Sequence, residues 1–184
     1  MATLGDVAGP IWLITGVPGS GKTTIARAIC ARYSMAVHIP VDDLRELVVS
    51  GFASPLDPWT SEATRQFALA RRTAAHMAAD YSDAGFTVVI DDVIWRERAE
   101  QHFPDLGGRP LRKVVLLPAL EVALARNRTR ANKSFDTSVL EPVIRDLQNR
   151  FAQNYGPEDW TVLDTSDLNV EETCSELFRR LAHS

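Results

Sequence analysis

Cysteine is scarce: the 184 residues contain two, Cys30 and Cys174. Two thiols cannot build a disulfide framework, and no Cys-x-x-Cys pair is present to hold a structural metal. Free thiols of this kind point to a reducing, cytoplasmic setting. Positive charge is also in short supply. Lys and Arg number 20 against 24 Asp and Glu, a formal net charge of −4. That balance disfavours a protein held to nucleic acid by bulk charge. No apolar run approaches the roughly 18 residues needed to cross a bilayer, so no membrane partner is expected. Asp6, and no Lys or Arg, precedes the first apolar stretch, which does not read as a secretory signal. Repeats and low-complexity tracts are missing as well. With 45% hydrophobic and 24% charged residues, the composition is globular. A chain of this length buries roughly 70% of its unfolded surface and needs no metal or disulfide to hold a core. The reading is a single domain over residues 1–184.

Short apolar runs alternate with longer helical patterns. Strands are expected at Ile11–Ile14, Ala36–Ile39, Phe86–Ile90, Val114–Leu117 and Trp160–Leu163. Helices are expected over Thr23–Tyr33, Asp42–Val49, Thr60–Ala84, Ala119–Arg130 and Leu140–Gln153. A last helix is capped by Asn169, with Glu172 completing a capping box. Strands that are apolar throughout want cover on both faces. Strands alternating with helices want right-handed crossovers. The expected fold is therefore α/β, a three-layer sandwich of about five parallel strands. Ligands in such folds bind beyond the C-terminal strand ends.

One loop at such an end carries the strongest chemical signal. Gly16-Val17-Pro18-Gly19-Ser20-Gly21-Lys22-Thr23 is a complete G-x-x-x-x-G-K-T pattern between a strand and a helix. Its glycines let backbone N–H groups turn toward phosphate oxygens, and the following helix aims its positive end there. Lys22 adds a point charge for the β and γ phosphates, and the Thr23 hydroxyl suits Mg²⁺. The nucleotide-binding set runs through Gly16, Pro18, Gly19, Ser20, Gly21, Lys22, Thr23 and Thr24. ATP and Mg²⁺ are the expected cofactors.

Acidic pairs follow the next two strands: Asp42-Asp43 and Asp91-Asp92. A parallel sheet brings both to the edge that carries the phosphate loop. One carboxylate there can take the proton of an attacking hydroxyl, and another can hold a metal. Asp42 is read as the general base, and Asp91 or Asp92 as the metal carboxylate, with Asp92 also a candidate for the substrate. Asp is equally at home as a helix cap, but capping needs only one of Asp42 and Asp43. Arg45 stands three residues after Asp42 on the same side of a short helix and can reach an anionic acceptor. Further on, Arg126, Arg128 and Arg130 crowd one segment. Arg126 and Arg130 are four apart and would repel on a bare helix face. Facing a polyanion they can stabilise the charge of phosphoryl transfer from a lid near residues 126–140. The wall for an acceptor offers Phe52, Trp59, Arg65, Phe67, Arg71, Arg72 and His76. Arg72, sharing a face with Arg65 and His76, is read as the substrate-side arginine. His38, inside a strand, reads as a satisfied core histidine.

These motifs resemble the small P-loop kinases, the broad AAA-type group that includes gluconate kinase, chloramphenicol phosphotransferase and the zeta toxins. The closest local similarity is to the kinase domain of phage-type polynucleotide 5′-kinase. That family carries G-x-P-G-S-G-K-S/T, Asp-Asp-x-Arg and Arg-Asn-x-x-Arg. Here Gly16–Thr23, Asp42-Asp43-Leu44-Arg45 and Arg126-Asn127-Arg128-Thr129-Arg130 fit them. The resemblance implies that Asp42 is the base, that Arg45 contacts the acceptor, and that Arg126 and Arg130 contact the donor phosphates. Where that family has Asp-x-Asn after the third strand, this chain has Asp91-Asp92-Val93. The function expected is transfer of the γ-phosphoryl of ATP to a hydroxyl of a small molecule, of sugar, antibiotic or nucleoside type. The alternatives are a polynucleotide 5′-hydroxyl kinase and a regulatory ATPase without an acceptor.

Overall fold

The computed structural model describes residues 8–55, 58–106, 108–129, 137–156 and 159–182. Five parallel strands make one sheet: β1 (Ile11–Gly16), β2 (Ala36–Pro40), β3 (Thr87–Asp91), β4 (Leu111–Leu116) and β5 (Thr161–Leu163). They lie in the order β2-β3-β1-β4-β5, so β1 sits at the centre and its loop opens at mid-edge. Register pairs Pro40 with Asp91 and Ile14 with Asp91. The ends of β1, β2 and β3 therefore fall side by side.

Among the described residues, seven α-helices connect and follow the strands. They are α1 (Lys22–Cys30), α2 (Val41–Glu46), α3 (Ser61–Asp83), α4 (Ala99–His102), α5 (Leu120–Arg128), α6 (Glu141–Asn154) and α7 (Val170–Leu181). The pleat divides the core. Trp12, Ile14, Val89 and Leu116 pack with Ile25 and Ile29 of α1 and Leu177 of α7. Ile11, Leu13, Val88 and Ile90 pack with Ala70, Ala74 and Ala78 of α3, and with Leu124, Ile144 and Phe151 of α5 and α6. Alternate residues of strands buried on both faces must be apolar, as the sequence pattern required. Small alanines along α3 let it lie close to the sheet.

The caps follow from side-chain chemistry. Thr60 Oγ1 accepts from the Ala63 N–H at 3.0 Å and starts α3. Asn169 and Glu172 form the expected capping box of α7. The cap of α2 is Pro40, with no side-chain capping bond. Asp42 and Asp43 stand inside the first turn instead, so capping does not account for either. Cys30 and Cys174 are both free, Cys174 buried. The short helix α4 and the 3₁₀ turn at Arg96–Arg98 were not expected from the pattern. Among the described residues no helix is long and apolar enough to cross a membrane.

At the end of α4, burial and the charges of Arg71 and Arg98 hold the His102 imidazole down to about 4. Its Nδ1 is buried without a partner. A histidine kept neutral in the fold binds its proton more readily once unfolded. Its contribution to stability is therefore intact above the unfolded value, about 6.5, and fades as pH falls toward 4. Melting curves from pH 7 to 4 should fall less steeply for His102→Gln than for the parent. Equal slopes would remove His102 as the cause.

Candidate active site

The phosphate loop is seated by glycine. Gly19 has φ +84, and a Cβ there would stand 2.2 Å from the Ala123 carbonyl oxygen of α5. The loop backbone thus rests directly on α5, which holds it open. Gly19→Ala should cost about 2 kcal/mol from a left-handed backbone plus displacement of the loop. For a chain of this size that is a drop of about 4–8 °C in Tm. Gly51 offers the control, with φ +77 and nothing within 4 Å of the added atom. Equal losses in Gly19→Ala and Gly51→Ala would rule out the packing against α5.

Lys22 Nζ donates to the Gly16 and Val17 carbonyls at 2.8 and 3.2 Å. Thr23 Oγ1 donates to Asp91 Oδ1 at 3.3 Å. Nε2 of His38 donates to the other oxygen, Asp91 Oδ2, at 2.6 Å. The core histidine expected from sequence is thus the orienting partner of this carboxylate. Gly19, Gly21, Lys22, Thr23 and Thr24, with Arg27 and Arg126, line a cavity of about 440 Å³. A smaller neighbour of about 280 Å³ runs from Ser20 and Thr24 past Thr165 to Leu168 and Val170. Arg126 borders both cavities, and its Nη2 donates to the Thr165 carbonyl at 2.9 Å. The charged cradle and the more apolar slot adjoin at Gly21, Thr24 and Arg126.

Asp92, the next residue, faces another space. Strand alternation turns successive side chains to opposite sides. Asp91 therefore meets Thr23, while Asp92 lines a cavity of about 650 Å³. Arg71 Nε donates to Asp92 Oδ2 at 2.6 Å, and the Val93 N–H donates to Asp92 Oδ1 at 2.7 Å. Burial pushes the Asp92 carboxyl up against the pull of Arg71, and the charge of Asp42 adds to the rise. Asp42 opens onto the same cavity from the first turn of α2.

Arg45 also reaches this cavity but is only 3% exposed. Its guanidinium lies between the Phe52 and Phe67 rings, 4.6 and 4.2 Å from their centroids. Nη1 donates to the Ala53 carbonyl at 2.9 Å. Burial pulls its pKa below the usual arginine value, with Asp42, Glu46 and Asp92 opposing.

The α3 arginine that lines this cavity is Arg71, whereas Arg72 does not line it. Arg72 is exposed, because one residue turns the helix about 100° and carries its neighbour off the cavity face. Arg65 pairs with Glu62 on the surface at 2.8 Å. Arg128 pairs with Glu141. Arg130 lies outside the described residues, as do residues 131–136 of the expected lid. The ends of that segment are joined: Asn127 Nδ2 donates to the Thr137 carbonyl at 2.7 Å, and Thr137 Oγ1 donates to the Asn127 carbonyl at 2.8 Å.

Two residues escaped the sequence reading. Gln66 straps the 51–53 segment to α3, donating to the Gly51 carbonyl at 2.8 Å and accepting from the Ala53 N–H at 3.0 Å. Its signal was an amide on the otherwise apolar stripe of α3. Tyr155 donates to the Ile94 carbonyl, and the Ile94 N–H donates to Thr15 Oγ1 at 2.8 Å. That chain ties the turn after β3, which carries Trp95, to α6.

Fold and phosphate loop together are those of the small P-loop kinases. A family model described as an AAA domain matches residues 11–154, and the chain belongs to that family. The tunicamycin resistance protein of Deinococcus radiodurans is similar in structure, with a TM-score of 0.65 and 19% identity over 94% of this chain and 95% of that one. Thymidylate kinase from Candida albicans gives a TM-score of 0.68 at 13% identity, covering 97% and 93%. A gluconokinase from Sinorhizobium meliloti 1021 gives 0.63 at 18% identity, covering 97% and 94%. No curated protein matches the chain by sequence.

Proposed function

We propose that the protein is a phosphotransferase that moves the γ-phosphoryl of ATP to a hydroxyl of a small molecule. The observation that carries this reading is the divided strand end. Asp91 turns to Thr23 and the phosphate loop, and Asp92 turns to a second cavity that also holds Asp42. A nucleotide switch or regulatory ATPase has no need of that second, walled space. Proteins named as a gluconokinase and a thymidylate kinase share the fold, which supports a phosphotransferase.

In this reading the acceptor hydroxyl lies at Asp42. Its oxygen forms a bond to the γ-phosphorus, the bond from that phosphorus to the bridging oxygen breaks, and ADP leaves. The hydroxyl proton passes to the Asp42 carboxylate. Lys22 and the loop N–H groups hold the donor phosphates. Arg126, at the border of the phosphate cradle, faces the charge that develops, and Arg130 is assigned the same work from sequence alone. Thr23 and Asp91 are hard oxygen donors and fit Mg²⁺. Among the described residues no group of three His, Cys, Asp or Glu is gathered for a metal. The ion would therefore need the nucleotide phosphates as further ligands. When bound, it neutralises charge on the β and γ oxygens.

The test is label from γ-labelled ATP. Label recovered on a hydroxyl compound is expected. Label released only as inorganic phosphate, whatever acceptor is present, would leave an ATPase and refute the proposal.

A further inference from the structure

The cavity shared by Asp42 and Asp92 has a lining that selects one kind of acceptor, an inference that rests on the phosphotransferase reading above. Its volume, about 650 Å³, suits a drug-sized molecule. Its walls are aromatic and aliphatic: Phe52, Trp59, Phe67 and Trp95, faced by Val143 and Leu147 of α6. Trp59 is the outermost ring. It stacks on Phe67 with centroids 5.2 Å apart and planes 16° apart. Its Nε1 donates to Thr64 Oγ1 at 2.7 Å. The ring is thus held in one orientation, yet 55% of the residue is exposed. Phe52, 43% exposed, stands with it at the mouth. An indole pinned at a cavity mouth offers a π-face to a flat group.

The charges point the same way. Three carboxylates, Asp42, Glu46 and Asp92, and two guanidiniums, Arg45 and Arg71, line the space. Arg71 is committed to Asp92, to the Val93 carbonyl and to the face of Phe67. Arg45 is closed between two rings, and among the described residues its buried Nε has no hydrogen-bond partner. It has donors for a neutral oxygen, but its charge already answers Asp42 and Glu46. A phosphate or carboxylate on the acceptor would meet a net negative wall. For a sugar, Ser54 is the only uncharged hydroxyl or amide side chain among the described lining residues, so its hydroxyls would have to pair with the charged groups or face apolar walls. Unpaired sugar hydroxyls against apolar walls are costly.

We propose that the acceptor is an uncharged, ring-bearing alcohol, its ring between Trp59 and the α6 wall and its hydroxyl at Asp42. This differs from the anionic acceptor that Arg45 suggests from sequence.

The experiment compares 2-naphthylethanol and 4-phenylbenzyl alcohol with glucose, gluconate and ribose 5-phosphate. Binding is followed by tryptophan fluorescence and saturation-transfer NMR with a non-hydrolysable ATP analogue present. Transfer is followed with γ-labelled ATP. The aryl alcohols should bind at least about tenfold more tightly than the sugars. Trp59→Ala should weaken them about tenfold with nucleotide binding unchanged, and Trp59→Phe should restore most of the loss. Preferred binding or labelling of gluconate or ribose 5-phosphate overturns the acceptor class and leaves the phosphotransferase reading standing. No aryl binding at millimolar concentration overturns the class as well. Aryl binding that depends on Trp59, with no label on any compound, supports the ligand class and counts against the phosphotransferase reading.

Discussion

Asp42→Asn is expected to lower phosphoryl transfer by about 10²–10⁴-fold while ATP still binds. The change keeps the shape of the side chain and removes its charge and its ability to take a proton. Three carboxylates, Asp42, Glu46 and Asp92, line the proposed acceptor cavity, and the bonding of Asp92 sets it apart from the proposed base. Asp92 has both oxygens engaged, one by Arg71 and one by the Val93 N–H. A proton arriving there would have to displace a buried guanidinium. Asp42 stands at the open end of α2, with Val41 beside it buried as an anchor. It opens onto the cavity without standing in the ion pair that fixes Asp92. The reverse pattern is equally clear: transfer at the parent rate in Asp42→Asn would move the base elsewhere. Single-turnover transfer and nucleotide binding must be measured together. A joint loss of both would signal damage to the loop rather than to proton transfer.

Element order and the phosphate loop could be read from residues alone. Short runs of apolar β-branched residues, each followed by a helical pattern, admit few topologies. A complete phosphate-loop motif in strand–helix context is nearly self-sufficient. What could not be read was orientation at single-residue scale. Asp91 and Asp92 are chemically identical, and only the pleat at the end of β3 sends one to Thr23 and the other to the acceptor cavity. Arg71 and Arg72 pose the same problem on a helix. The choice depends on which stripe α3 presents to the sheet, and the alanines at 70, 74 and 78 carried that information. Arg45 reads from sequence as an arginine of a short helix that can reach an acceptor, with nothing to show that it is buried. Its burial needs Phe52 and Phe67, which arrive from a loop and another helix, and no local pattern encodes that meeting. The same holds for His38, whose partner Asp91 lies on the neighbouring strand.

Arg71→Gln should destabilise the protein by about 3–5 kcal/mol, because it strands a buried carboxylate. The pair is well enclosed: the side chains of Arg71 and Asp92 are 14% and 2% exposed. Arg71 also donates to the Val93 carbonyl at 3.1 Å, so the guanidinium fixes the turn that follows β3. Burial already pushes the Asp92 carboxyl up, and the loss of Arg71 removes the main opposing charge. A carboxyl raised in the fold keeps its contribution to stability below the unfolded value, about 3.9. It loses that contribution as pH rises through the folded value. The deficit of Arg71→Gln against the parent should therefore grow from acid toward neutral pH. Adding Asp92→Asn removes the stranded charge, so the double variant should recover most of the stability at pH 8. Denaturation at pH 5 and pH 8 for the parent, both singles and the double gives the full cycle. A single-variant loss below about 1 kcal/mol would class the pair with surface bridges. Simple additivity in the double would deny the coupling. The acceptor cavity is built on this corner, so in the double variant acceptor KM should rise more than ATP KM.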